Sequence, residues 1–173
     1  GGHMLAAMNP NPKMIARINP IELNGGQGAE LLCDRYGITR GELDAWALSR
    51  LQGTIESVRG HMDAFDATSA GREIAAFVDE LSNWYVRLGR RRFWDGDMFA
   101  LATLRICLLE LSKLLAPFTP FVAEEIYGNL MGGAGESFFD QPDSVHLTDF
   151  PEPDPDRVDE ELEEQMEVVR RTG

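Results

Sequence analysis

The sequence predicts an all-α fold, an antiparallel helical bundle, and three observations carry that expectation. Apolar residues recur at three- and four-residue spacing in successive segments. Those segments are bounded by helix start and stop signals, among them a Ser/Thr-x-x-Glu box at Thr39–Glu42 and a Thr119–Pro120 pair. No period-two strand pattern and no strand–helix–strand alternation breaks the series.

The elements follow in chain order. Gly1–Met4 reads as the remnant of an expression tag and is set aside. Residues 5–30 hold three prolines and three glycines with no sustained period, so residues 1–40 form an irregular N-terminal segment with at most a short helical turn. From Thr39 the stripe Leu43, Trp46, Ala47, Leu51, Ile55, Val58, Met62, Phe65 describes an amphipathic helix of roughly 20 residues, weakened at Gly53 and Gly60. A second helix runs from about Ser69 to Phe93, with Ile74, Phe77, Val78, Leu81, Tyr85 and Leu88 on its apolar face. Asp95-Gly96-Asp97 punctuates the chain. The third helix, about Met98 to Leu115, is apolar nearly all round and belongs in the middle of the bundle. A shorter helix from Pro120 to about Met131 completes a bundle over residues 41–132. Residues 133–173 read as a glycine-rich loop, a short extended piece at Ser144–Leu147, an acidic connector with Pro151, Pro153 and Pro155, and a last helix from Val158 to Arg171. The seam of that helix is Val158, Leu162, Met166 and Val169.

Composition bounds the function. A chain of 173 residues fits one domain with a sizeable core. No run of about eighteen apolar residues occurs, so no membrane partner is expected. Cys33 and Cys107 could make one bridge at most, and without a secretory signal the cytoplasm is the default compartment. No CxxC, HExxH or histidine cluster suggests a metal, and no catalytic constellation is visible. The net charge of −13 argues against generic nucleic-acid binding. The acidity is concentrated, however: Asp149–Gly173 holds ten acids against three arginines, whereas Arg50–Ala116 holds nine of each sign.

Within that neutral middle lies one dense basic and aromatic cluster, Leu81–Trp94. On a helix at about 100° per residue, Asn83, Arg87 and Arg90 lie opposite the Leu81–Tyr85 stripe. Trp84 and Arg91 fall on a flank, and Arg92 rotates back toward the stripe as the helix ends. Guanidinium forks match phosphate oxygens, and an indole such as Trp84 or Trp94 offers a stacking surface for unpaired bases. The same residues also suit a structural, salt-bridged face, because Asp79, Glu80, Asp95 and Asp97 are near enough to pair with the arginines. Other candidates carry less. His61 and His146 lack partners, Cys107 lies in the most apolar helix, and Glu124-Glu125 and the Glu160–Glu164 run read as solvated helix faces. Asn24–Gly28 lacks the Gly-Lys-Ser/Thr ending of a phosphate loop.

Four strings, taken in order, resemble isoleucyl-tRNA synthetases. LDAWALSRL at residues 43–51 resembles the opening of that family's anticodon-binding domain, and LSNWYVRLGRRRFW at 81–94 resembles its Ser-Asn-Trp-Tyr-Val-Arg block with a following basic cluster. LSKLLAPFTPFVAEEIY at 111–127 and SVHLTDFPEPD at 144–154 resemble two further family stretches. The LAPFTPF type also occurs in related class I synthetases for valine and leucine, whereas the block at 81–94 points to isoleucine. Ala47 and Leu88-Gly89 depart from the family pattern. The resemblance implies a helical anticodon-binding domain whose partners are the anticodon arm of an isoleucine tRNA and the catalytic domain of the same synthetase. It implies ATP and magnesium chemistry only in that catalytic domain, since the His-x-Gly-His and Lys-Met-Ser-Lys-Ser motifs are absent here and no cofactor is expected for this fragment. The tRNA-binding residues it implies are Asn83, Trp84, Arg87, Arg90, Arg91, Arg92 and Trp94, with Arg50 and Arg59 as secondary phosphate contacts. The alternative is an architectural bundle that orients the catalytic domain without reading the anticodon.

Overall fold

A computed structural model describes residues 36–132 and 142–172. The expectations for residues 1–35, including Cys33, and for the glycine-rich loop at 133–141 lie outside the described residues. Within them the architecture is all-helical: α1 (Arg40–Asp63), α2 (Ala67–Glu80) continued by a π-helical turn (Leu81–Val86), α3 (Arg90–Trp94), α4 (Met98–Leu115), α5 (Pro120–Gly132) and α6 (Glu160–Thr172). Among the described residues no strand occurs.

The start of α1 follows from its capping box. The Glu42 amide donates to Thr39 Oγ1 at 3.2 Å, and the Thr39 amide donates to the Glu42 carboxylate at 2.6 Å. These hydrogen bonds hold the Glu42 carboxyl below its ordinary pKa. A sharp turn then reverses the chain. Phe65 sits there at φ 59°, a left-handed conformation uncommon for a bulky residue, and is almost fully exposed. Asp66 caps α2 by accepting from the Ser69 amide at 3.0 Å.

Leu43, Trp46, Leu51, Ile55 and Val58 of α1 pack with Ile74, Phe77, Leu81 and Tyr85 of α2 and its extension, and with Cys107, Leu111 and Leu114 of α4. Leu162 and Met166 of α6 enter the same core. Burial pushes the Cys107 thiol up to about 12, so it is an inert core group. A smaller cluster, Ala123, Tyr127 and Val145, fastens α5 and the following 3-10 turn to α4.

Several sequence expectations change, among them the places of Phe65 and Val158 in apolar helix seams, since both are exposed and lie outside α1 and α6. The second helix is not regular to Phe93: it passes through a π turn at Leu81–Val86 and breaks at buried Gly89. Gly89 is closely packed, since a Cβ there would meet the Phe93 ring at 3.0 Å and the Tyr85 carbonyl at 3.1 Å. The extended piece at Ser144–Leu147 is a 3-10 turn over Val145–Leu147. Glu124, read as a solvated acid, fastens that turn by accepting from Ser144 Oγ at 2.9 Å and the Val145 amide at 3.1 Å. Finally, α4 is central only in part. The Arg105 guanidinium donates to the Leu130 carbonyl at 3.0 Å, marking where α5 ends against it. N-terminal to that point Met98, Phe99 and Leu101 are exposed.

Candidate nucleic-acid interface

The site is built around the break between α2 and α4. A π turn inserts an extra residue into a helical turn and changes the direction in which later side chains project. Gly89 then closes onto Tyr85, its amide donating to the Tyr85 carbonyl at 2.8 Å, and α3 follows. Gly96 at φ +72° reverses the chain after α3, and Asp97 caps α4 by accepting from the Phe99 amide at 3.0 Å and the Ala100 amide at 3.3 Å.

One buried ionic network locks this break to α1. Arg92 donates through both terminal nitrogens to the two carboxylate oxygens of Asp44, at 2.8 and 2.7 Å. Its Nε donates to Asp97 at 2.7 Å and a terminal nitrogen to the Arg40 carbonyl at 3.3 Å. The Tyr85 hydroxyl donates to Asp44 at 2.7 Å. The hydrogen bonds of Asp44, and then those of Asp97, outweigh burial and raise the Arg92 pKa. Arg92 in turn holds the Asp97 carboxyl low. Burial, then the Asp44 contact, pushes the Tyr85 phenol up.

This geometry divides the residues singled out in the sequence. Arg92 is only 8% exposed and faces inward, so it is a structural residue and not an RNA-facing one. The rotation toward the stripe was readable; the fork-to-fork pairing with Asp44 was not. Arg50 is likewise committed: Nε donates to Glu80 and a terminal nitrogen to Glu163, both at 3.0 Å. Burial opposes its charge, but the bonds and charges of Glu80 and Glu163 prevail and raise its pKa. Glu80 also accepts from Arg170 at 2.9 Å, and Ser49 donates to Glu163, so α6 is held to α1 and α2 by alternating charges. Glu163 is therefore not a solvated acid. Arg59 donates to the Pro151 carbonyl at 2.9 Å and fastens the connector. Trp84 is half-buried, with the Arg170 guanidinium 6.0 Å from its ring centre.

Asn83 is exposed and donates to Asp79 at 2.6 Å. Arg91 is exposed and lies 3.7 Å from Asp95. Arg87 and Arg90 are exposed and make no salt bridge among the described residues. Trp94 is 81% exposed. These two arginines and Trp94 border a groove of about 660 Å³ between the π turn, α3 and the start of α4. Ser82 shares that border, and the half-buried Val86, Phe93 and Leu104, with Leu101, make the apolar lining. The lining residues escaped the sequence reading because apolar positions on bundle helices are ordinarily core. Trp94, Met98 and Phe99, crowded around one chain reversal, were the available signal.

Comparison with known proteins bears directly on this geometry. The family described as the anticodon-binding domain of tRNA ligase matches residues 44–172. The chain belongs to this family. An isoleucine–tRNA ligase of Dehalococcoides mccartyi is 50% identical over 137 residues, 76% of this chain and 13% of that protein. One from Streptomyces coelicolor is 46% identical over 129 residues, 75% of this chain and 12% of that protein. An isoleucine–tRNA ligase 2 of Bacillus thuringiensis is 45% identical over 141 residues, 79% of this chain and 13% of that protein. The chain thus spans about an eighth of the length of these relatives. In this anticodon-binding domain no group of His, Cys, Asp and Glu is arranged to hold a metal among the described residues. No described helix is long and apolar enough to cross a membrane.

Proposed function

We propose that this domain binds the anticodon arm of an isoleucine tRNA on behalf of an isoleucine–tRNA ligase. The observation that carries the reading is the pair of exposed guanidiniums, Arg87 and Arg90, standing without salt bridges among the described residues beside exposed Trp94. Exposed cations on a chain of net charge −13 have abundant acids with which to pair, yet among the described residues these two pair with none. Arg91, exposed on the same short helix and 3.7 Å from Asp95, adds a third charge to this face. Phosphate contacts of this kind position an RNA and do not by themselves read its sequence. Activation of isoleucine with ATP and magnesium belongs, in this reading, to a catalytic domain of the same cytoplasmic enzyme.

The architectural reading is favoured by a different observation: Arg50, Arg59 and Arg92 are all spent on holding helices and the connector together. A binding titration separates the two. On the tRNA-binding reading, Arg87→Ala and Arg90→Ala each weaken binding to an isoleucine anticodon stem-loop while the bundle melts as before. On the architectural reading, the chain has no affinity for the stem-loop even at low salt.

A further inference from the structure

We propose that Arg92 is a positioning residue for RNA binding: anchored to Asp44 and Asp97, it holds α3 so that Arg90 and Arg91 meet the same phosphate backbone as Arg87. This rests on the tRNA-binding reading and deepens it, because binding then depends on a buried group that does not itself touch RNA. Arg90, Arg91 and Trp94 are exposed on α3, which has five residues. A helix so short cannot hold itself, since isolated helices below about 12 residues are marginal in water. Its direction is set by the side chains it turns inward, buried Arg92 and half-buried Phe93. Both lead to Asp44. Arg92 engages that carboxylate through both terminal nitrogens, at 2.8 and 2.7 Å. Phe93 packs edge-on against Tyr85, with ring centres 6.0 Å apart, and the Tyr85 hydroxyl donates to the same carboxylate at 2.7 Å. The Arg92 Nε bond to Asp97 ties α3 to the cap of α4 as well.

Stability alone is a poor account of this network. An apolar group of similar volume in place of a buried ion pair is often neutral or stabilising. What a fork-to-fork pair adds is geometry, because it fixes both the distance and the plane of the groups it joins. A binding constellation needs that, since its groups must be held within about 0.5 Å of their productive positions. Arg87 provides an internal reference. It lies before Gly89, at the end of the π turn, and so outside the helix that Arg92 holds. Disturbing the anchor therefore releases Arg90 and Arg91 and leaves Arg87 in place.

The test removes one acid from the anchor and reads RNA binding by the 173-residue chain. Asp44→Asn keeps an acceptor for the Tyr85 hydroxyl, and Asp97→Asn keeps a cap for α4. Each variant makes the chain less negative, so charge alone would tighten its binding to RNA. Positioning predicts the opposite. Asp44→Asn weakens binding to an isoleucine anticodon stem-loop about tenfold at about 0.1 M salt, and the slope of log affinity against log salt flattens from about −2 toward about −0.7, the share of Arg87. Amide hydrogen exchange without RNA is the second readout. The Asp95 and Asp97 amides, which donate to the Arg91 and Arg92 carbonyls at 2.9 Å, exchange about tenfold faster in Asp44→Asn. Asp97 lies nearer the surface, so Asp97→Asn carries the same test if Asp44→Asn does not fold. Glu163→Gln removes an acid from the separate network of α6 and is the control, with the salt slope and both amides unchanged. Unchanged exchange in α3, unchanged or tighter binding, or an equal loss in Glu163→Gln overturns the positioning role. If Arg87→Ala and Arg90→Ala still weaken binding in that case, the tRNA-binding reading stands and only the role of Arg92 falls. If the wild-type chain binds no stem-loop, both fall.

Discussion

Replacing Arg92 by Ala separates the structural arginine from the binding arginines. In the wild type its guanidinium makes two bonds to Asp44 and one to Asp97, and its side chain is 9% exposed. Truncation leaves the two acids in different situations. Asp97 is nearer the surface and keeps its amide partners at Phe99 and Ala100. Asp44 keeps the Tyr85 hydroxyl but faces the cavity as an uncompensated buried carboxylate. Breaking a buried pair from one side costs about 3–5 kcal/mol. For a chain of this size that is a fall in Tm of about 6–20 °C. The assay is urea unfolding followed by circular dichroism, with Arg92→Met combined with Asp44→Asn as the companion. That double variant removes both charges and keeps an acceptor for Tyr85, so it should cost less than the sum of its single changes. A loss below about 1 kcal/mol for Arg92→Ala, or strict additivity, would refute the argument that this network locks the α2–α3 break to α1.

Other consequences follow from the same contacts. Glu80→Ala removes the acid shared by Arg50 and Arg170 and should cost about 1–3 kcal/mol, with proteolysis near α6 accelerated in step. Gly89→Ala forces a Cβ against Phe93 and Tyr85 and should destabilise by about 1–3 kcal/mol, whereas Gly53→Ala, with nothing within 4 Å, should stabilise by up to about 1 kcal/mol. Glu42, Asp66 and Asp97 all have carboxyl pKa values held low in the folded state, so their stabilisation is complete above the ordinary carboxylate range and is lost as pH falls through their lowered values. Urea midpoints should therefore drop on acidification, and less steeply for Asp66→Asn; a flat profile from neutral pH to below the carboxylate range contradicts the cap assignments.

The helices were legible wherever local chemistry decides them. Thr39 and Glu42 announce the start of α1, Asp97 that of α4 and Pro120 that of α5, because caps and proline act within a few residues. The π turn was not legible: nothing in Leu81–Val86 distinguishes i+4 from i+5 bonding, and tertiary packing around Tyr85 and Gly89 decides. The fates of the arginines divide along the same line. A helical wheel places Arg87 and Arg90 outside and turns Arg92 inward, but pairs such as Arg92–Asp44 or Arg50–Glu163 join residues far apart in the chain. Glu163 and Glu124 were misread for that reason, since a charge on a helix face looks solvated until its distant partner is known.

The most direct test of the central claim is a salt titration of binding between this chain and an isoleucine anticodon stem-loop, with a leucine stem-loop as control. If Arg87, Arg90 and Arg91 neutralise three phosphates, log affinity falls against log salt with a slope of about −2, and the Arg87→Ala, Arg90→Ala double variant flattens it to about −0.7. The isoleucine loop binds more tightly than the leucine loop. An affinity indifferent to salt, or a double variant with the wild-type slope, would contradict the claim that this face contacts tRNA.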